Sequence, residues 1–474
     1  MPANCLGMTI DFAARRSRAG MNDMPSATTH IEGVSAERPA PWYRALDRRQ
    51  WFTLAAANLG WLFDGYESYA LLLTMGVAFR QILPASSYPA IPFYAGLTLA
   101  VTLLGWGLGG IVGGIVADYV GRKRTMIYAI LAYSVLTGFT ALAWSWLSYV
   151  LLRFVVGLAL GSEWGTGTAM MAELWPGKHR GKGAGLMQCG LGVGFFVASA
   201  VWYFVNRLGP SAWRWMFVIG VLPAIATLWI RRGIVEPERW SDSNALRQKA
   251  MAATRRGQQL DAKSEHYARF TLVDLFSDTR TRRITIAALL MSCTATITWW
   301  GISGWVPSFV GSLALKQGLS EGQWASFAGM AYNIGAIAGY IGFGFCADAW
   351  GRKPVTLAWF VISWLLTPVL FLWTHQLYLI LVVCGINAVF TLGQYTWCST
   401  WLPEAYPTRM RATAVAFVFN APRFLACFGP LAAGTLIAYF GGYGKAALIV
   451  STMYAVGICA LPFFPETIGK PLPE

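Results

Sequence analysis

Three carboxylates stand inside long apolar runs of this chain: Asp64 and Glu67 within residues 51–80, and Glu163 within residues 148–171. An ionised carboxylate near the centre of a hydrocarbon layer costs about 2.5–3.5 kcal/mol even on lenient insertion scales. A group with that cost calls for a cationic partner, a proton or a water-filled cavity. Asp64 and Glu67 are three residues apart and share a helix face, where desolvation and mutual repulsion favour a proton on the pair. We therefore expect Asp64, Glu67 and Glu163 to carry an exchangeable proton; the competing reading is a permanent ion pair between one of them and Arg153. Arg423, in Asn420-Ala-Pro-Arg423, stays charged at any physiological pH and presents a planar fork suited to a carboxylate. Facing Asp64 and Glu67 across a cavity it would anchor an anion, with Asn420 adding a hydrogen bond. A fixed ion pair with a carboxylate of the first run is the alternative. Gln394, Tyr395, Tyr332 and Asn333 are polar groups in apolar runs and are weaker pocket candidates. Trp300, beside Trp299, offers a ring for stacking, although interfacial placement or packing accounts for most of the tryptophans. Arg153 lies near one end of its run, so it either snorkels to the interface or serves a gate or proton relay.

The elements that must position these groups are membrane helices. The chain has 474 residues, 56% hydrophobic and only 12% charged, with a mean hydropathy of +0.47; soluble domains carry about 25% charged residues. Apolar stretches long enough to cross a bilayer fall near 51–80, 92–116, 125–145, 148–171, 183–206 and 213–231, then near 284–311, 323–346, 355–373, 376–401, 412–437 and 443–463. We number these spans 1 to 12. They divide the chain into a disordered N-terminal tail (1–50), a six-helix bundle (51–231), a polar linker (232–283), a second six-helix bundle (284–464) and a short C-terminal tail (465–474). The end of the linker, Phe270 to Phe276, reads as an amphipathic helix on the membrane surface. The tail has no apolar core of a cleavable signal, and Met21 or Met24 is a possible start.

With both termini inside, Arg80, Arg207, Arg214, Lys316 and Lys445 fall outside and Arg153 and Arg423 lie in the membrane, leaving 30 of the 37 Lys and Arg on the cytoplasmic side. That is the positive-inside bias. The formal charge of +15 is thus an orientation signal for a plasma-membrane or bacterial inner-membrane protein, and needs no nucleic-acid partner. The eight cysteines include no C-x-x-C pair and read as small buried hydrophobes. No metal cluster, cofactor motif, nucleophile–base pair or phosphate loop is evident, which speaks against an enzyme or an ATP-driven pump.

An internal repeat is specific. Gly114-Ile-Val-Ala-Asp118-Tyr-Val-Gly121-Arg122-Lys123 recurs, offset by 230 residues, as Gly344-Phe-Cys-Ala-Asp348-Ala-Trp-Gly351-Arg352-Lys353. Glu173 and Arg180 recur as Glu404 and Arg411, offset by 231. Two unrelated motifs whose offsets agree to within one residue indicate duplicated halves. Gly114 and Gly344 permit close helix contact, each Asp can meet a neighbouring helix N-terminus, and we assign this whole set, with Arg153, to gating.

The repeated G-x-x-x-D-x-x-G-R-K pattern resembles the signature of the major facilitator superfamily, over nearly all of Pro41 to Gly469. Three stretches are similar to proton-coupled organic-acid symporters: Pro41-Trp42-Tyr43-Arg44 with Gln50-Trp51, Asp64-Gly65-Tyr66-Glu67 and Gly161-Ser162-Glu163-Trp164. Glu67 and Ser162 depart from the branch pattern, which has Asp and Gly there. The resemblance implies an all-α fold of twelve transmembrane helices in two pseudo-symmetric bundles. It also implies alternating access, uptake of a small organic anion with protons, and a monomer in the lipid bilayer without cofactors. A sugar or polyol:proton symporter of the same superfamily is the alternative.

Overall fold

In a computed structural model, residues 41–225, 229 and 233–474 are described; Cys5, Met21, Met24 and most of the expected tail lie outside them. The described residues fall in two units, one holding residues 41–45 and the other Leu46–Glu474. In the first, Trp42–Ala45 is one short 3-10 turn. The second is helical throughout, with no strand among the described residues.

Span 1 is Arg48–Ile82 and so begins before residue 51. The reason is local: Asp47 accepts from the Gln50 N–H at 2.7 Å while Gln50 accepts from the Asp47 N–H at 2.9 Å, a reciprocal cap that satisfies two orphan donors. Span 2 is Ile91–Val120, span 3 Arg122–Thr140 and span 4 Trp146–Leu174. Span 5 runs as Arg180–Gln188 and Gly190–Val205, and span 6 starts at Ala212. In the second half, span 7 is Thr279–Ile302 continued by Val306–Lys316, span 8 Glu321–Trp350 and span 9 Arg352–Pro368. Span 10 is Leu377–Thr391, interrupted by a 3-10 turn at Gly393–Tyr395. Span 11 is Arg411–Asn420, broken at Pro422 and resumed as Gly429–Tyr439; span 12 is Tyr443–Ser451 with Met453–Ala460. Nine of the described helices are long and apolar enough to cross a membrane unaided. Spans 1 and 3 carry their own charges, and the described apolar part of span 6 is short.

Spans 2 and 4, 1 and 5, and 8 and 10 are the closest partners within each bundle, while spans 2 and 11 and spans 5 and 8 join the bundles. At one end of the first bundle, Phe79, Tyr149, Trp213 and Phe217 interlock edge to face with centroids 5.4–6.1 Å apart, a favoured aromatic geometry. The opposite end, where both copies of the repeated motif lie, we call the motif face. The linker holds three helices, Glu238–Arg255, Ala262–Ala268 and Thr271–Ser277. The last of these exposes Phe270, Val273 and Phe276 while Asp274 pairs with Arg409 at 2.9 Å. It therefore rests on the motif face through its polar side and offers its apolar side outward. The C-terminal segment is docked too: Leu472 is buried, and the Pro473 carbonyl accepts from Arg411 at 3.1 Å.

Candidate functional site

The repeated motif folds into a sealed layer between the bundles. Gly121 and Gly351, at φ 121° and 103°, occupy backbone space that side chains rarely enter, and each ends one span and starts the next. Beside them the N-terminus of span 3 is capped by Glu236, which accepts from the Arg122 and Lys123 N–H groups at 2.5 and 3.2 Å. The N-terminus of span 9 is capped by Glu466, which accepts from Arg352 and Lys353 at 3.2 and 2.8 Å. Burial pushes the Glu236 carboxyl above its ordinary value against these bonds. At Glu466 burial also pushes upward, but the backbone donors of Lys353, Ile468, Arg352 and Thr467 together hold the group below it. Glu236 and Glu466 are 230 residues apart, a third element of the repeat that motif reading alone did not pick out. Lys123 and Lys353 enter through their backbone amides rather than as gate charges, since those amides are the orphan donors of a helix start.

Across the interface, Asp118 of span 2 accepts from the Thr413 N–H at 2.8 Å and its hydroxyl at 2.6 Å, at the start of span 11. Its counterpart Asp348 of span 8 accepts from the Gly181 and Lys182 N–H groups, both at 2.9 Å, at the start of span 5. Glu173 binds Arg122 at 3.2 Å and Arg411 at 2.8 Å; Glu404 binds Arg352 at 3.0 Å and Arg180 at 3.1 Å. The side chains of these ion pairs are buried, and charge-assisted hydrogen bonds of this kind contribute about 1.5–3 kcal/mol each. Arg247 of the linker donates to the Asp118 and Arg409 carbonyls and so ties the linker to both bundles. Gly114 meets span 11 and Gly344 meets span 5: a β-carbon at Gly344 would stand 2.3 Å from the Gly181 carbonyl oxygen. Overpacking of that kind costs about 1–3 kcal/mol. Gly344→Ala is therefore expected to open the motif face, raising the maleimide labelling rate of an Ala412→Cys probe about fivefold or more. An unchanged rate would show that this contact does not hold the face shut.

Away from the motif face, a cavity of about 350 Å³ opens between spans 1, 5, 7 and 8. Aromatic rings dominate its wall, among them Tyr69, Trp106, Phe195, Trp299, Trp300 and Tyr332, and its polar groups include Ser68, Ser303 and Asn333. Tyr69 and Phe195 stack at 4.8 Å. The Tyr332 hydroxyl bonds Ser303 at 2.9 Å and Asn387 at 3.1 Å, which fixes its ring. Gln394 and Tyr395 do not line this cavity. The Gln394 amide donates to the Thr391 carbonyl at 2.9 Å and Tyr395 bonds Thr296 at 2.8 Å, because the 3-10 turn in span 10 points both behind the wall. They support the pocket instead of forming it. On the motif side, Trp164 of span 4 stacks on Phe419 of span 11 with centroids 3.5 Å apart, closing the path between the bundles.

The carboxylates are arranged differently from a shared pair. Glu67 forms a buried ion pair with Arg153, which also bonds Thr140 and sits 4.8 Å from the Phe217 ring centroid. Arg153 therefore does not snorkel, and its partners all belong to the first bundle, so it takes no part in the motif-face seal. Asp64, one helical turn away, is fully buried, and neither of its oxygens has a hydrogen-bond partner among the described residues. Three residues turn a helix by about 300°, enough to aim Glu67 at span 4 while leaving Asp64 outside Arg153's reach. Glu163 presses against span 1 at Gly60, where a β-carbon would lie 2.1 Å from its Oε1, and its Oε2 has no partner among the described residues. Tyr133 of span 3, buried with an unbonded hydroxyl, belongs to the same region; one of two tyrosines in an apolar helix that also carries Ser and Thr, it gave no distinguishing pattern in the sequence.

Arg423 does not face Asp64 and Glu67 across an open cavity. Pro422 breaks span 11 and leaves the Phe419 carbonyl free of a helix partner, and Arg423 Nη1 donates to that oxygen at 2.7 Å and to Asn420 at 3.0 Å. Its guanidinium lies 4.8 Å from the Trp106 ring centroid and 4.4 Å from that of Phe419. Trp106 also lines the cavity. The guanidinium is thus screened from the cavity by one indole ring, makes no ion pair among the described residues, and leaves its Nε unbonded.

Two six-helix bundles, sealed together at one face and separated by a cavity toward the other, define a membrane transporter of the major facilitator fold. The proton:xylose symporter XylE from E. coli shares that fold with a TM-score of 0.71 at 20% identity, over 89% of this chain and 97% of that one. The chain belongs to the family described as sugar (and other) transporters, which matches residues 54–474. It is 27% identical to the cis,cis-muconate transport protein of Acinetobacter baylyi over 78% of this chain and 85% of that protein. It is 24% identical to the sialic acid transporter NanX of Escherichia coli, over 89% and 96% respectively.

Proposed function

We propose that this transporter carries a small organic acid together with a proton, into the cytoplasm, by alternating access. The observation that carries the reading is a pair of charges without counter-charges near one cavity: Asp64, buried without a hydrogen-bond partner among the described residues, and Arg423, a buried guanidinium with no carboxylate partner among them. An unpaired carboxylate in such surroundings loses its desolvation cost when it takes up a proton, and an unpaired guanidinium gains most from an incoming carboxylate. Glu163 shares the proton with Asp64 in this reading, whereas Glu67 holds Arg153 and shapes the site. Trp106 must turn aside for substrate to reach Arg423, so binding and closure are coupled. The two relatives compared above are named for cis,cis-muconate and sialic acid, both carboxylates.

The distribution of basic residues supports a cytoplasmic motif face; in this reading the cavity opens outward and the seal is the cytoplasmic gate. A neutral sugar or polyol substrate would leave the buried Arg423 guanidinium without a counter-charge, which disfavours it. In proteoliposomes with an imposed pH gradient, uptake of radiolabelled organic acids should be competed by carboxylates and not by sugars. Competition by xylose or polyols alone would replace this reading with the sugar-porter one.

A further inference from the structure

A second cavity lies outside the transport pathway. It is a groove of about 730 Å³ between spans 7 and 12, at their motif-face ends and on the outer surface of the second bundle. Arg282 and Arg283 stand at its mouth, and beyond them Ile286, Leu290, Val456 and Phe463 make the wall apolar. Ile286, Leu290 and Phe463 are exposed, where a membrane protein meets lipid. From Arg283 to Leu290 a helix rises roughly 10 Å, a large part of the ~15 Å hydrocarbon depth of one leaflet.

The charge of this mouth is uncompensated. The arginines of the motif-face seal are tied to carboxylates, whereas Arg282 and Arg283 have no ion pair or hydrogen bond from their side chains among the described residues. The adjacent carboxylate, Asp278, is engaged in accepting from the Arg280 and Thr281 N–H groups at 2.8 and 2.9 Å. Two free guanidiniums above an apolar channel of acyl-chain depth complement one kind of ligand. We propose that this groove binds an anionic phospholipid, with the phosphate between Arg282 and Arg283 and an acyl chain laid along spans 7 and 12. A second copy of the chain or an apolar helix fits less well, since either would bury two guanidiniums without a counter-charge.

Native mass spectrometry of the full chain, titrated with phosphatidylglycerol and with phosphatidylcholine of identical acyl chains, tests this. Both lipids have a phosphate, but only the first has a net charge. The wild type is expected to prefer phosphatidylglycerol by on the order of tenfold, Arg282→Gln with Arg283→Gln to abolish the preference, and Arg280→Gln, on the same turn but outside the groove, to retain it. Cys459→Trp, which fills the groove and keeps both arginines, is expected to lower phosphatidylglycerol binding several-fold. Equal binding of the two lipids by the wild type, the same loss from Arg280→Gln as from the double variant, or full binding by Cys459→Trp would each overturn the site. A concentration-dependent protein dimer that excludes lipid would assign the groove to a second copy.

Discussion

Replacing Arg153 by Met should lower the unfolding stability of the purified protein by about 3–5 kcal/mol, because Glu67 would then be a buried carboxylate without its cation. Arg153 is 1% exposed, and the carboxylate it pairs with lies in span 1, 86 residues away. Both side chains of the pair are buried away from bulk solvent. The double variant Arg153→Met, Glu67→Met should recover most of the loss, since apolar side chains of similar volume often replace a buried ion pair without net cost. Denaturant unfolding followed by tryptophan fluorescence measures all three proteins. A single variant within about 1 kcal/mol of wild type, or a double variant as unstable as the single, would mean that the pair is not what holds spans 1 and 4 in place. Glu67→Gln should behave like Arg153→Met in this assay, as a stability defect first and a transport defect only in consequence.

Asp64→Asn should have the opposite profile, with stability kept and coupling lost. The carboxylate makes no hydrogen bond among the described residues, so an isosteric amide removes no contact. If Asp64 carries the proton, a pH gradient can no longer drive accumulation. One pH unit is worth about 1.4 kcal/mol, or tenfold in concentration ratio, and for a one-proton symporter that tenfold ratio should collapse to equality in the variant. Exchange of labelled for unlabelled substrate across a vesicle with no gradient should persist, since it needs the cavity and the gate but no net proton movement. Gradient-driven accumulation surviving in Asp64→Asn would move the proton to Glu163, and the matching Glu163→Gln variant would then be the one that fails. The same pair of assays separates a coupling residue from an anchoring one: Arg423→Lys should weaken both accumulation and exchange, because its planar fork serves binding in either mode.

Hydropathy, charge bias and the repeat at an offset of 230 residues are one-dimensional properties, and they determined the span framework, the duplicated halves and the residues of the motif-face seal. Each rests on local physics: apolar length for a bilayer, positive charge for orientation, and glycines where helices touch. The carboxylates worth attention were legible for the same reason, since a charge in an apolar run is visible without knowing its neighbours. Glu236 carried a legible signal as well, being the copy of Glu466 at that same offset, but its loop has no motif of its own.

Partnership was settled only in three dimensions. Whether Arg153 meets Glu67 or the interface, and whether Asp64 is left alone, depends on helix rotation to within a fraction of a turn. Gln394 and Tyr395 were turned behind the wall by a 3-10 step in span 10, and Arg423 was drawn to its own Phe419 carbonyl by the break at Pro422. Such contacts join residues brought together by the packing of whole bundles, and side-chain type fixes what a group can bond while only packing fixes which group it reaches.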